Sequence, residues 1–148
     1  MKHKGPWSRE ETDAFLTSTT VPMRLAAITE SGRPMLVSVW FAWEDDALWC
    51  ASPMQADIVR ALRHNDACAF EVSVEAPPYY GVRGQGRAEI LPDGKDRLRA
   101  LLIRHGGDPE SDFAQWLLGR DIAEATLRIT PDRLTSWDFR KRMGDAFG

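Results

Sequence analysis

Apolar and polar residues alternate in short bursts along most of this chain, and the period changes at recognisable breaks. Met23 to Thr29 and Pro34 to Trp43 keep the period of two expected of strands, with Glu30-Ser31-Gly32-Arg33 between them as a hairpin turn. In the second strand Met35, Val37, Val39, Phe41 and Trp43 share one face, and Leu36, Ser38, Trp40 and Ala42 the other. Both faces are largely apolar. One is therefore expected to fill a core and the other to meet a helix, a ligand or a second subunit. Glu44-Asp45-Asp46 turns the chain into a third strand, Ala47 to Ala51. The period then lengthens. Ser52, Pro53 and Gln55 supply an N-cap, a first helical position and a capping-box partner for a helix that buries Ile58, Val59 and Leu62 and ends at Asn65.

The flanking segments follow the same logic. Ser8 and Glu11 form a capping box that opens a short helix within the first twenty residues, and Pro22 ends helical continuity. Ala67 to Val74 and Tyr80 to Leu91 are strands separated by a break at Glu75 to Pro78. Gly81, Gly84 and Gly86 within the second mark a bulge, a barrel bend or a close backbone approach. Asp96 to His105 is an amphipathic helix stopped by Gly106 and Gly107, and a shorter helix follows from Asp108-Pro109 to Gly119. Ala125 to Ile129 and Leu134 to Phe139 read as a closing hairpin around Thr130-Pro131-Asp132, and a polar, loose tail begins at Lys141. Hairpin-rich order with interspersed helices predicts an α+β, mainly β domain spanning residues 1–148, built as an antiparallel barrel of six or seven strands with flanking helices.

Composition narrows the function. A chain of 148 residues that is 43% apolar supports one core, and its net charge of −3 is scattered, without the basic block expected of a nucleic-acid binder. No run approaches the length of a membrane span, and the charged N-terminus lacks the apolar core of a signal peptide, so a cytoplasmic location is expected. Cys50 and Cys68 lie inside apolar strand patterns and read as buried free thiols.

The candidate chemistry is sparse. The junction at Ser52 and Gln55 either only caps its helix or holds an anion on free amides at the helix start. Arg24, on a face with Ala26 and Ile28, needs a partner, which is a phosphate, a carboxylate or solvent. Trp40, Trp43, Trp49 and Trp137 are able to stack on a planar cofactor, though at least three are expected in the core or an interface. Tyr79-Tyr80 is a gate or a packed loop. Gly84-Gln85-Gly86-Arg87 lacks the spacing of a dinucleotide fingerprint, and His3, His64 and His105 are too scattered for a zinc site. No side-chain nucleophile is indicated, and a cofactor is then expected to carry any chemistry.

Five elements in order resemble the pyridoxamine 5′-phosphate oxidase-like superfamily of flavin-binding split barrels. They are Arg24 to Thr29 with Ser31-Gly32-Arg33-Pro34; Val39-Trp40-Phe41; Trp49-Cys50-Ala51-Ser52 with Arg60-Ala61-Leu62 and Asn65; Gly81 to Ala88; and Pro131-Asp132-Arg133-Leu134 leading to Trp137. The resemblance implies a homodimer with FMN at its interface. Arg24 and the Cys50-Ala51-Ser52 turn, with Gln55, would approach the phosphate and ribityl chain, the Val39-Trp40 backbone the ring edge, and Trp137 would reach across from the partner subunit. Relatives usually carry a Lys near the helix start, whereas this chain has Gln55-Ala56-Asp57-Ile58 there, leaving Arg24, Arg60 or backbone donors to replace it. The resemblance implies an FMN-dependent oxidoreductase acting on a small molecule. The alternatives are a deazaflavin-dependent reductase and a non-catalytic flavin-binding protein. The family's arginine and histidine pattern for vitamin B6 substrates is missing, and no ligand suits haem.

Overall fold

The computed structural model describes residues 1–142, in which eight strands, four helices and a helical turn at 140–142 make up the regular structure. β1 (Lys2–Lys4) and α1 (Arg9–Ser18) precede the first hairpin, β2 (Met23–Ile28) and β3 (Pro34–Val39). β4 (Ala42–Glu44), β5 (Ala47–Pro53), α2 (Asp57–His64), β6 (Ala67–Ser73) and β7 (Tyr80–Leu91) follow, then α3 (Lys95–Arg104), α4 (Asp112–Gly119) and β8 (Glu124–Asp138). The strands join in the order β3-β2-β6-β7-β8-β5-β4, antiparallel throughout, and β1 adds to β8 in parallel. Chain neighbours β3 and β4 thus lie at opposite ends of the path, linked by Trp40 and Phe41 with no ladder between them. That gap is the split in the barrel.

Local rules account for the tight turns. Gly32 adopts φ +82° in the β2–β3 turn, which any other residue would take at a cost. Asp45 and Asp46 both have positive φ, as a two-residue I′ turn requires, and Asp tolerates that region better than most residues. Ser8 accepts from the Glu11 amide while Glu11 accepts from the Ser8 amide, both at 3.1 Å, so the expected capping box forms.

Leu25, Phe70, Val82, Leu134, Leu127 and Cys50 fill the barrel. α2 closes one end with Ile58, Val59 and Leu62, each burial contributing on the order of 1.5–3 kcal/mol. α3 lays Leu98, Leu101 and Leu102 against the barrel. Trp7, Phe15 and Tyr80 meet edge to face near the N-terminal segment, with centroids 5.1–6.0 Å apart.

Three expectations need correction. The strand expected over Pro34 to Trp43 breaks at Trp40, where the chain crosses the seam. Thr130-Pro131-Asp132 is not a hairpin turn but a bulge inside one continuous strand. Gln85 pairs with Arg133 and Gly86 with Pro131, so Asp132 is extra, and the bulge accommodates a proline that cannot donate to the ladder. The helix expected from Ser52 starts at Asp57. Ser52 and Pro53 instead extend the ladder against Ala125 and Glu124, and the Met54 amide donates to the Ala123 carbonyl at 2.8 Å. The N-cap is Ala56, with no side-chain cap bond. The expectation of a loose tail lies outside the described residues except at Lys141 and Arg142, which are helical. Among the described residues no helix is long and apolar enough to cross a membrane.

Candidate functional site

The first hairpin sets one end of the site. With Thr29 paired to Arg33 around the turn, counting outward places Arg24 opposite Ser38. Arg24 Nη1–H donates to the Ser38 hydroxyl at 2.8 Å, and Nη2–H to Glu75 at 3.1 Å. The partner of Arg24 is therefore a carboxylate and a hydroxyl, at a half-exposed position. Arg24 looks outward into a depression of about 410 Å³ floored by Ala26, Ala69 and Gly84. Gly84 is needed there, because a Cβ would come within 2.3 Å of the Arg133 carbonyl oxygen and 2.5 Å of the Phe70 ring.

Ser38 also borders a second depression, of about 250 Å³, at the seam itself. Val39, Trp40 and Ala51 line it, and Leu98 and Leu101 of α3 wall it. The two hollows thus meet at the Arg24–Ser38 contact. One carries three arginines, Arg24, Arg83 and Arg133, and the other is mainly apolar.

The Trp40-Phe41 crossing is held by residues that chain order did not single out. The His105 ring stacks on Trp40 at 5.7 Å and 17°. Its Nδ1 lies 3.0 Å from the Thr20 carbonyl, and its Nε2 lies 3.3 Å from the Phe41 amide and 3.1 Å from Arg104 Nη1. Nε2 also lies 3.1 Å from the Phe41 carbonyl, so an Nδ1–H ring donates to Thr20 and accepts from the Phe41 N–H and Arg104, whereas an Nε2–H ring would donate to the Phe41 carbonyl instead. Arg104 also donates to the Leu16 and Thr17 carbonyls, and burial lowers its pKa.

The other expected site residues divide between these hollows and elsewhere. Ala51 faces the seam, while the Cys50 and Ser52 side chains point into the core, and among the described residues the Ser52 hydroxyl donates only to the Pro53 carbonyl at 3.4 Å. Burial pushes both thiols up, Cys68 to about 12 and Cys50 further. Gln55 is exposed in the turn before α2 and caps nothing. Arg60 lies 3.5 Å from Asp57 and lines a separate hollow beside the β2–β3 turn, away from Arg24. Trp137 is on the outward face of β8, with the Arg83 guanidinium 5.6 Å from its ring centroid. Trp43 is buried and donates its indole N–H to Asp13, and Trp49 lies between the guanidinium groups of Arg97 and Arg128, so both are structural. Ser38, Arg83, Arg133 and His105 also border these hollows or the crossing, and chain order alone does not mark them as site residues. Only Ser38 had a local signal, through the hairpin count. Among the described residues no three His, Cys, Asp or Glu side chains are placed to share a metal ion.

Residues 8–138 match the family model described as pyridoxamine 5′-phosphate oxidase. Among solved structures, a conserved hypothetical protein from Mycobacterium tuberculosis superposes with a TM-score of 0.75 at 25% identity, covering 93% of this chain and 88% of the other. A FAD-binding protein from Mesorhizobium loti gives a TM-score of 0.62 at 25% identity, with 88% and 93% covered. A structure named as an F420 reductase gives 0.64 at 24% identity, with 87% and 97% covered, and shares the fold. No curated protein matches the chain in sequence.

Proposed function

The chain belongs to the pyridoxamine 5′-phosphate oxidase family, and from that premise we propose that it is a homodimeric, FMN-dependent oxidoreductase acting on a small molecule. The observation that carries this reading is the meeting of a cationic hollow and an apolar one at Arg24 and Ser38. A nucleotide-type cofactor has the same division, with an anionic end and a planar end. The donor set fits. Arg24 spends one N–H on Ser38 and one on Glu75, which leaves guanidinium donors free for a phosphate. The seam offers the Val39-Trp40 backbone and the apolar walls of Ala51, Leu98 and Leu101 to a ring.

A bound flavin supplies hydride transfer. The chain's own residues bind and orient it: Arg24 holds the anionic end, His105 and Arg104 fix the Trp40-Phe41 backbone, and α3 keeps water from the seam. Trp137, half-buried beside Arg83 on the outward sheet face, is suited to reach a partner subunit. Leu36, two-thirds exposed on that face, gives a second copy apolar surface to cover.

A deazaflavin coenzyme is the second reading, favoured by one observation. Asp57, not a Lys, occupies the first turn of α2, so that helix start brings no cation to an FMN phosphate. The M. loti neighbour is named for FAD and another for F420, so relatives of this fold differ in cofactor. The test is turnover. Protein loaded with FMN is mixed with NAD(P)H, and protein loaded with reduced deazaflavin coenzyme with a panel of acceptors. Turnover with FMN supports the first reading and turnover only with deazaflavin the second. Saturable flavin binding without turnover in either arm leaves a non-catalytic flavin-binding protein.

A further inference from the structure

Five basic side chains gather on one outward face of this net-acidic chain, and the strand register places them. Across β2, β6, β7 and β8 the outward positions Arg24, Glu71, Arg83 and Thr135 form one row, and Ala26, Ala69, Gln85 and Arg133 the next. β1 extends both rows, with Lys2 beside Arg133 and Lys4 beside Thr135. Arg83 and Arg133 are therefore diagonal neighbours on adjacent strands, with Cβ atoms on the order of 7–8 Å apart. Both line the 410 Å³ depression. Arg24 at its far side is paired with Glu75. Among the described residues neither Arg83 nor Arg133 forms an ion pair. Glu71 is the one acidic residue of the lining, and it accepts from the Ser73 hydroxyl at 2.9 Å.

We propose that this depression binds a small di- or polyanion, a diphosphate or polycarboxylate group, with Arg83 and Arg133 as its cationic contacts. Two guanidinium groups outside any ion pair, at that spacing, match two phosphate or carboxylate centres, which guanidinium binds in bidentate fashion, although Glu71 lies opposite Arg83 on the same face. Gln85 and Thr135, each opposite one of the arginines, add hydrogen-bonding groups, and Lys2 and Lys4 raise the local potential. The floor of Ala26, Ala69 and Gly84 leaves the space between them open. A hollow of about 410 Å³ suits a small molecule, and the chain's net charge of −3 disfavours a nucleic acid. The site shares a hollow with Arg24 but rests on different residues, and the titrations that test it use no flavin, which enters only in the competition arm.

The experiment is calorimetric titration of the full chain with tripolyphosphate and, separately, citrate at low and physiological salt. Arg83→Gln, Arg133→Gln and a charge-matched control, Arg99→Gln on exposed α3, are titrated alongside, with Arg83→Lys as a variant that keeps the charge but loses the fork. Saturable binding in the parent, weakened about tenfold or more by Arg83→Gln and Arg133→Gln and unchanged by Arg99→Gln, is expected. Arg83→Lys should fall between. Absence of saturable binding in the parent, or equal weakening by all three Gln variants, would overturn the proposal. A competition arm identifies the source. Displacement of tripolyphosphate by FMN but not by riboflavin assigns the anion to the cofactor's phosphate, and binding of both together assigns it to a separate ligand.

Discussion

Arg24 and Ser38 face each other across the first hairpin, and the hydrogen bond between them joins the cationic hollow on the sheet face to the apolar one at the barrel seam. The pair places a guanidinium with donors to spare where the two environments meet. That arrangement makes Arg24 the first position to test.

Replacing Arg24 with Ala is expected to weaken FMN binding by about 2 kcal/mol or more, roughly thirtyfold, as loss of a charge-assisted hydrogen bond. Stability should change little, since the Arg24–Glu75 pair is solvent-exposed and such pairs contribute at most about 1 kcal/mol. Parallel flavin titration and urea unfolding separate the two effects. A folded variant that binds FMN as tightly as the parent removes Arg24 from the site.

His105→Ala breaks a different kind of contact. It leaves the Phe41 amide and the Thr20 carbonyl without their side-chain partner and removes the ring stacked on Trp40. The expected cost is about 1–3 kcal/mol in urea unfolding, with a change in tryptophan emission. Unchanged stability and emission would show that the crossing does not depend on this histidine.

Much of this was legible in the chain. The period-two runs gave the strands and the positive-φ turn at Gly32 fixed the first hairpin, so the Arg24–Ser38 contact follows from local counting. Hidden from local reading was everything that depends on distant pairing. Ser52-Pro53-Met54-Gln55 carries every local mark of a helix start, yet the ladder to Glu124 and Ala125 holds Ser52 and Pro53 in the strand. Thr130-Pro131-Asp132 looks like a turn because its bulge lies opposite β7, far away in sequence. His105 showed no metal or catalytic pattern because its partners are backbone groups of Thr20 and Phe41.

The end of β8 gives a pH dependence. The Asp138 carboxyl is held well below the usual carboxylate range, chiefly by its hydrogen bond from Arg140, against the opposing effect of burial and with help from the Trp7 indole N–H. A carboxyl that releases its proton more readily when folded favours the native state above its unfolded pKa, near 4. That contribution is lost as pH falls from about 4 toward the native value. Acid unfolding of the parent should show this loss, and Asp138→Asn should flatten it. An identical acid limb in both would contradict the assignment.

Cys50 and Cys68 are expected to resist a thiol reagent at pH 8. Burial keeps both protonated, Cys68 with a pKa of about 12. Both should react in urea. Rapid stoichiometric labelling of the folded protein would show that a strand opens at that site.

The central claim is that the two hollows joined at Arg24 and Ser38 hold a flavin. Its most direct test is an absorption spectrum of the purified protein followed by equilibrium titration with FMN, FAD and the deazaflavin coenzyme. Bands near ~450 nm, or saturable binding of one of these at micromolar concentration or below that Arg24→Ala weakens, is the expected result. A colourless, folded protein that binds none of the three would contradict it.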